Sequence, residues 1–272
     1  MRKRLPTIIL IVLFLIGLSL LLYPTLSDYW NSFHQTKAIS SYSEIVADLD
    51  DETYERLWKE AQQYNKTLVG RGASYTLSKA EQKKYESLLN VTENGMMGYI
   101  EIPAIDCSLP IYHGTNDAIL QTSIGHIAGS SLPVGGKSTH CVLSGHRGLP
   151  SARLFTDLDK LTEGDLFMLH VLDRTLTYEV DQILIVEPDE LDALRIEEGK
   201  DYCTLVTCTP YGINTHRLLV RGHRVKNQST DQNVRTDAIQ IEPIIVAALI
   251  AVPLLLLLLI GLLVTTHKKR RK

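Results

Sequence analysis

A mainly β domain, preceded by N-terminal helices and flanked by two transmembrane helices, is the fold class this sequence predicts. Three observations carry that expectation. Apolar residues concentrate in two long runs, Leu5 to Tyr23 and Pro243 to Val264, each of about the length that crosses a bilayer. From Met97 to Val225, short alternating apolar segments follow one another, punctuated by Gly and Pro, as in a β-barrel or sandwich. Between the first run and those strands, residues 38–64 carry apolar side chains at helical intervals.

The flanks of the apolar runs predict orientation. Arg2, Lys3 and Arg4 precede the first run, and His267, Lys268, Lys269, Arg270, Arg271 and Lys272 follow the second. Lys and Arg are retained on the cytoplasmic side of a membrane, so both ends are expected inside and Pro24 to Glu242 outside. The first run is read as a retained anchor. Its apolar middle is longer than that of a signal peptide, and Tyr23-Pro-Thr-Leu is a poor cleavage site. Of 28 Lys and Arg residues, the two ends hold three and five, leaving 20 outside against about 30 of the 31 acidic residues. An acidic external domain argues against a nucleic-acid partner.

After the first run, Tyr42, Ile45, Val46 and Leu49, then Tyr54, Leu57, Trp58, Ala61 and Tyr64, predict one or two amphipathic helices whose apolar stripe caps the domain core. Asn65 to Tyr75, with Gly70 and Gly72, reads as a flexible connection, and Leu77 to Leu89 as a further short helix. Strands are expected in Gly98 to Ile105, Leu109 to Tyr112, Thr139 to Leu143, Phe167 to Leu172, Leu176 to Val180, Ile183 to Val186 and a hairpin from Thr204 to Val225. Asp117 to Ile127 and Ala152 to Leu161 read as short helices or turns, and Gln228 to Ile241 as a polar tether. The chain therefore divides into a basic end (1–4), a span (5–23), a helical region (24–90), the β domain (91–227), a linker (228–242), a second span (243–264) and a basic tail (265–272).

The chemistry gathers at the hairpin. Thr204, Val206 and Cys208 share one strand face, and Arg217, Leu219 and Arg221 share one face of the returning strand. A thiol and a guanidinium thus converge at one mouth. Leu143-Ser-Gly-His-Arg-Gly148 ends another β-rich run and presents His146 beside a glycine turn. Cys208, His146 and Arg217 make a candidate thiol acyl-transfer site, because a nearby cation favours the thiolate. Cys107, Cys141 and Cys203 lie in or beside strands and are read as buried thiols in preference to disulfides, although an extracellular location permits bridges. The nine histidines show no close ligand pairing, so no metal is expected, and His113, His126, His140 and His216 are read as structural or surface residues. Arg147, Arg221 and Arg224 are read as partners of the acidic surface. A lone cysteine-protease reading also fits, without a specific signature.

The stretch Thr204-Leu-Val-Thr-Cys-Thr-Pro-Tyr-Gly-Ile-Asn-Thr-His-Arg-Leu-Leu-Val-Arg-Gly222 resembles the active-site segment of class C, pilus-assembling sortases of Gram-positive bacteria. Met97-Gly-Tyr-Ile-Glu-Ile-Pro103, Leu109-Pro-Ile-Tyr-His-Gly-Thr115, Ser131-Leu-Pro-Val-Gly-Gly136 and Leu143-Ser-Gly-His-Arg-Gly-Leu-Pro150 resemble the same family, over about Leu88 to Val225. The resemblance implies an eight-stranded sortase β-barrel, Cys208 as nucleophile, His146 as acid/base and Arg217 as the oxyanion-stabilising or substrate-positioning residue. It also implies cleavage of LPXTG-like sorting signals between Thr and Gly, and transfer of the acyl group to a pilin lysine, without cofactor or metal. Pilin subunits and membrane lipid are the implied partners, at the cell membrane of a Gram-positive bacterium. Attachment of proteins to peptidoglycan, and a non-enzymatic scaffold binding sorting signals, are the alternatives. One departure stands out. Class C members commonly carry an Asp-Pro-aromatic lid tripeptide, and Asn65 to Tyr75 lacks it. Tyr75 is read as a packing or exposed residue ahead of a cover over the cleft.

Overall fold

The computed structural model describes residues 5–71 and 75–227, together with Pro253 and Ile260. The expected basic end 1–4, linker 228–242, basic tail 265–272 and, but for those two residues, second span 243–264 lie outside the described residues. The chain forms two units, residues 1–30 with 230–272, and residues 31–229.

In the first unit the described structure is the start of helix α1 (Leu5–Ala47), together with Pro253 and Ile260. Among the described residues this is the one helix long and apolar enough to cross a membrane, over Ile8–Ala47. Leu13 and Leu20 are exposed on it, as befits a helix whose solvent is lipid, and this supports membrane anchoring. The helix does not stop at Tyr23. It continues through Pro24, where the missing N–H removes only one bond of the ladder.

The second unit takes α1 from Asn31 onward, two further helices and all the strands. The helical pattern over residues 38–64 resolves into the end of α1 and α2 (Asp51–Leu68), separated at residues 48–50. Asp50 starts α2, its carboxylate accepting from the Thr53 N–H at 2.7 Å, and Asp51 and Glu52 complement the positive end of the helix dipole. Helix α3 (Lys79–Ser87) opens with a Ser78–Glu81 capping box. Both helices turn apolar faces inward, and Trp58, Ala61, Tyr64, Leu68 and Tyr85 join the barrel core. Polar bolts fix them there. The Tyr42 hydroxyl accepts from the Leu172 N–H at 2.8 Å and donates to the Met97 carbonyl at 2.9 Å. The Asn65 amide exchanges two bonds with the Leu132 backbone, at 2.7 and 3.1 Å.

Eight strands close into a barrel. They are β1 (Met96–Ile102), β2 (Cys107–His113), β3 (Ile124–His126), β4 (Thr139–Ser144), β5 (Leu166–Val171), β6 (Arg174–Val186), β7 (Asp201–Thr209) and β8 (His216–Arg224). Their order around the wall is β1-β2-β3-β4-β7-β8-β6-β5, so no open edge remains and the sandwich alternative falls. Three expectations are corrected. Ile124–His126, read as part of a turn or helix after α4 (Asp117–Leu120), is a wall strand pairing parallel to β2, too short to show alternation. The segments 176–180 and 183–186 are one strand, β6, with a register shift between Val180 and Gln182. The first strand ends at Ile102, because Pro103 opens a 3-10 turn. Residues 152–161 form turns, as expected, with a 3-10 turn at Leu158–Lys160.

Along β4, β7 and β8 the two faces bury different things. Cys141, Leu143, Cys203, Leu205 and Val220 point into the barrel, whereas Val142, Val206 and Leu219 form a second apolar cluster on the opposite face. That opposite face carries the candidate site.

Candidate active site

The β7–β8 pair runs antiparallel, with Thr204 opposite Arg221, Val206 opposite Leu219 and Cys208 opposite Arg217. The two expected partners are thus direct cross-strand neighbours. Directly opposed residues in an antiparallel pair have Cβ atoms about 4.5–5.5 Å apart, well within the reach of an arginine. The connecting turn is tight. The Pro210 carbonyl accepts from the Ile213 and Asn214 N–H groups at 3.1 and 2.9 Å, and Gly212 and Asn214 take the left-handed backbone. The Thr209–Pro210 bond is cis. Arg217 Nη1 donates to the carbonyls of Asn214 at 3.3 Å and His216 at 3.1 Å, so the turn holds the guanidinium at the hairpin mouth. Cys208 is a half-buried, free thiol.

His146 arrives from the neighbouring wall strand. Strand β4 pairs parallel with β7 up to Ser144 opposite Val206, and the Gly145 N–H then donates to the Val206 carbonyl at 3.0 Å. Thr207 Oγ1 donates to the Gly145 carbonyl at 2.8 Å. These bonds hold the residue before His146 against the last turnward residues of β7. Gly145 is required for it, since a Cβ there would sit 2.7 Å from the Phe155 ring. On the far side the Phe155 N–H donates to the His146 carbonyl at 3.1 Å. Cysteine, arginine and histidine therefore come from three adjoining backbones at one end of the β4–β7–β8 wall.

An apolar surface leads away from that end. Val142, Val206 and Leu219 on the wall meet Val186, Leu191 and Leu194 from the end of β6 and the connection to β7. Tyr75 packs into this group, and its hydroxyl donates to the Leu194 carbonyl at 3.1 Å. Burial pushes the Tyr75 phenol up to about 12. A cavity of about 200 Å³ adjoins it, lined by Leu68, Arg71, Tyr75, His140, Leu194 and Ile196 among others. Tyr75 is therefore a packing residue, and what it packs on is the face that carries Cys208. Val206 and Leu219 lie on this face as alternation predicts, with Cys208 and Arg217; Tyr75, Leu191 and Leu194 carry no local signal.

The other candidate residues sort by contact. Cys107, Cys141 and Cys203 are free thiols. Cys141 and Cys203 are buried register partners on β4 and β7. Burial raises the Cys203 thiol well above its ordinary range and Cys107 to about 12. His113, His126 and His140 are buried and bonded. His140 Nδ1 donates to the Arg195 carbonyl at 2.8 Å and its Nε2 accepts from Thr204 Oγ1 at 2.7 Å, the neutral tautomer that burial also favours by lowering its pKa. His216 is exposed beside the hairpin mouth, 3.2 Å from Glu187. Arg147 pairs with Asp159, and Arg221 grips Asp181 through two bonds of 3.0 and 3.1 Å. Arg224 instead donates to backbone carbonyls, that of Thr177 at 2.9 Å among them.

Comparison with known proteins identifies the family. The pattern of the sortase domain matches residues 100–225, which run from within β1 to just past β8. The chain is similar to sortase D of Bacillus subtilis, 30% identical over 156 residues that cover 56% of this chain and 76% of that protein. Among solved structures it is similar to sortase C1 from Streptococcus agalactiae, with 55% identity and a TM-score of 0.69, covering 71% of this chain and 100% of that one. It is also similar to Streptococcus pneumoniae sortase C, whose structure is described for catalysis and pilin substrate specificity, with 45% identity and a TM-score of 0.63 over 71% and 98%. A closed eight-stranded barrel, a half-buried cysteine opposed by an arginine and these likenesses lead to one conclusion: the chain belongs to the sortase family.

Proposed function

We propose that this protein is a class C sortase, a cysteine transpeptidase that polymerises pilus subunits at the membrane surface. The observation that carries the reading is the register of Cys208 against Arg217 at the end of an apolar surface. A sorting signal of the LPXTG type lies along that surface with its Thr–Gly bond at the thiol. The Cys208 thiolate attacks the threonine carbonyl, and the Arg217 guanidinium stabilises the tetrahedral oxyanion. His146 protonates the departing glycine amine, which leaves a thioester on Cys208. A pilin lysine amine then attacks the thioester and gives up a proton to His146. An isopeptide bond forms and the thiolate is released. Both flanking spans hold the enzyme in the membrane with its termini in the cytoplasm and its barrel outside, beside membrane-held pilin precursors. The likeness to sortases C of two streptococci supports the class, and the apolar helix α1 supports the anchoring.

The test is mass spectrometry of the full-length chain in detergent micelles, incubated with a pilin carrying its sorting signal and a second pilin domain. The expected product is an isopeptide between the signal's threonine and a pilin lysine, absent with Cys208→Ala. A Cys208 thioester that passes only to peptidoglycan amines would make the protein a wall-anchoring sortase. No covalent adduct would leave a sorting-signal-binding scaffold.

A further inference from the structure

His146 must stay aligned with Cys208 through two proton transfers, yet His146 stands on the loop after β4 and Cys208 near the end of β7. The backbone of 145–156 is tied on its barrel side, where Gly145 bonds to β7, the His146 carbonyl accepts from Phe155, and the Gly148 N–H donates to Thr156 Oγ1 at 3.1 Å. Toward the turn beyond Cys208 the connection is made by the residue next to His146. Arg147 is only 10% exposed, although it lies on a surface loop of an acidic domain. Its Nη2 pairs with Asp159 on the 3-10 turn Leu158–Lys160, and its guanidinium carbon lies 5.9 Å from the centre of the Tyr211 ring. Tyr211 belongs to the turn that starts right after Cys208 and Thr209. Its ring also lies against Gly148, where an added Cβ would come within 2.9 Å of Cε2 and the backbone is left-handed at φ +76°.

Two features go beyond a solvated ion pair. Arg147 Nε is buried with no hydrogen-bond partner, which a pair free to choose its geometry would avoid by turning to water. Tyr211 is 61% exposed, and the part of its ring that is covered rests on Arg147 and Gly148. We infer that Arg147 is a positioning residue for the reaction: clasped between Asp159 and Tyr211, it locks the loop bearing His146 to the turn that follows Cys208. The base and the nucleophile are thereby held as one body. This inference rests on the reading of His146 as the acid/base.

The experiment measures steady-state kinetics of the full-length chain on a sorting-signal peptide, with a pH–rate profile and a thermal melt for each variant. Arg147→Ala and Tyr211→Ala are each expected to lower kcat about tenfold to a hundredfold with KM within roughly twofold, as misplacement of a reacting group does. Both should also move the limb of the profile that reports His146. Tyr211→Phe, which keeps the ring face, should restore kcat, and the double alanine variant should be no worse than either single one. Should Arg147→Ala fail to fold, Tyr211→Ala carries the test, since that ring is mostly in solvent. A Tyr211→Ala enzyme with kcat within twofold of wild type and an unmoved profile overturns the inference, as do additive losses in the double variant. His146→Ala separates the two layers: retained turnover there overturns the role of His146 itself, whereas abolished turnover with a normal Tyr211→Ala overturns only the clasp.

Discussion

Replacing Arg217 with alanine tests the arrangement at its centre. Arg217 is the cross-strand partner of Cys208, and its two backbone bonds draw on Nη1 alone, out of five N–H donors on a guanidinium. The remaining donors are the ones proposed to meet the oxyanion. Loss of a single oxyanion donor costs about 3–4 kcal/mol of transition-state stabilisation, so acylation of Cys208 should slow by roughly a hundredfold to a thousandfold. The fold should survive, because the lost bonds are two partly exposed contacts to turn carbonyls, together worth about 1–2 kcal/mol at most. Arg217→Lys keeps the charge without the planar fork and should fall between, at roughly a tenfold loss. The assay is the rate of Cys208 acyl-enzyme formation with a sorting-signal peptide, read by mass spectrometry under single-turnover conditions. A rate for Arg217→Ala within threefold of wild type, on a folded protein, would falsify the oxyanion role and leave the guanidinium as a clasp of the 210–215 turn.

Three further outcomes are expected. Tyr42→Phe removes the hydroxyl that joins Leu172 and Met97 at a site 1% exposed, leaving a buried N–H and carbonyl unpaired; denaturant melts should show about 2–4 kcal/mol lost, and an unchanged midpoint refutes the bolt. Tyr75→Ala removes a half-buried ring from the apolar cluster on the Cys208 face, together with its bond to the Leu194 carbonyl; denaturant melts should show about 1–3 kcal/mol lost. An unchanged midpoint would mean that Tyr75 adds nothing to the packing of that face. His140 is held neutral because burial lowers its pKa, against the smaller pull of Glu197 and Asp181. Its folded pKa lies below the unfolded value near 6.5, so its contribution is complete above about pH 6.5 and is lost as pH falls toward the depressed value. Stability at pH 5 should therefore be lower than at pH 8, with a smaller difference in His140→Gln; an equal difference in both assigns the acid sensitivity elsewhere.

Much of this architecture was readable in one dimension, where periodicity and chemistry coincide. The β7–β8 hairpin is the clearest case. Alternation places Thr204, Val206 and Cys208 on one face, and a Pro-Tyr-Gly-Ile-Asn turn brings the return strand back with Arg217 opposite Cys208. Strand β3 was not readable, since Ile124–His126 is held by β2 and β4 and has too few residues for a pattern of its own. The break of α1 and α2 at residues 48–50 was ambiguous for a different reason: one apolar stripe runs across both helices, and the Asp50 cap alone marks the gap.

Within the site, Cys208, Arg217 and His146 stood out because their residue types and turn chemistry are local. Tyr75 and Arg147 did not. A tyrosine after a glycine-bearing connection and an arginine after a histidine have no distinctive neighbours in the chain; Tyr75 finds Leu194 across the fold, and Arg147, besides its ion pair with nearby Asp159, meets the Tyr211 ring more than sixty residues away. The amino-acid sequence by itself determined the long apolar helix, the β-rich domain and the hairpin of Cys208 and Arg217, because hydrophobic length, period-two alternation and turn residues act between neighbours. Tertiary structure alone decided that the barrel closes through a three-residue strand, that Tyr42 and Asn65 bolt the helices to Met97, Leu172 and Leu132, and that Tyr75 lies on the face of Cys208. Those outcomes depend on burial and hydrogen bonding between distant residues, and they exist only once the wall has closed.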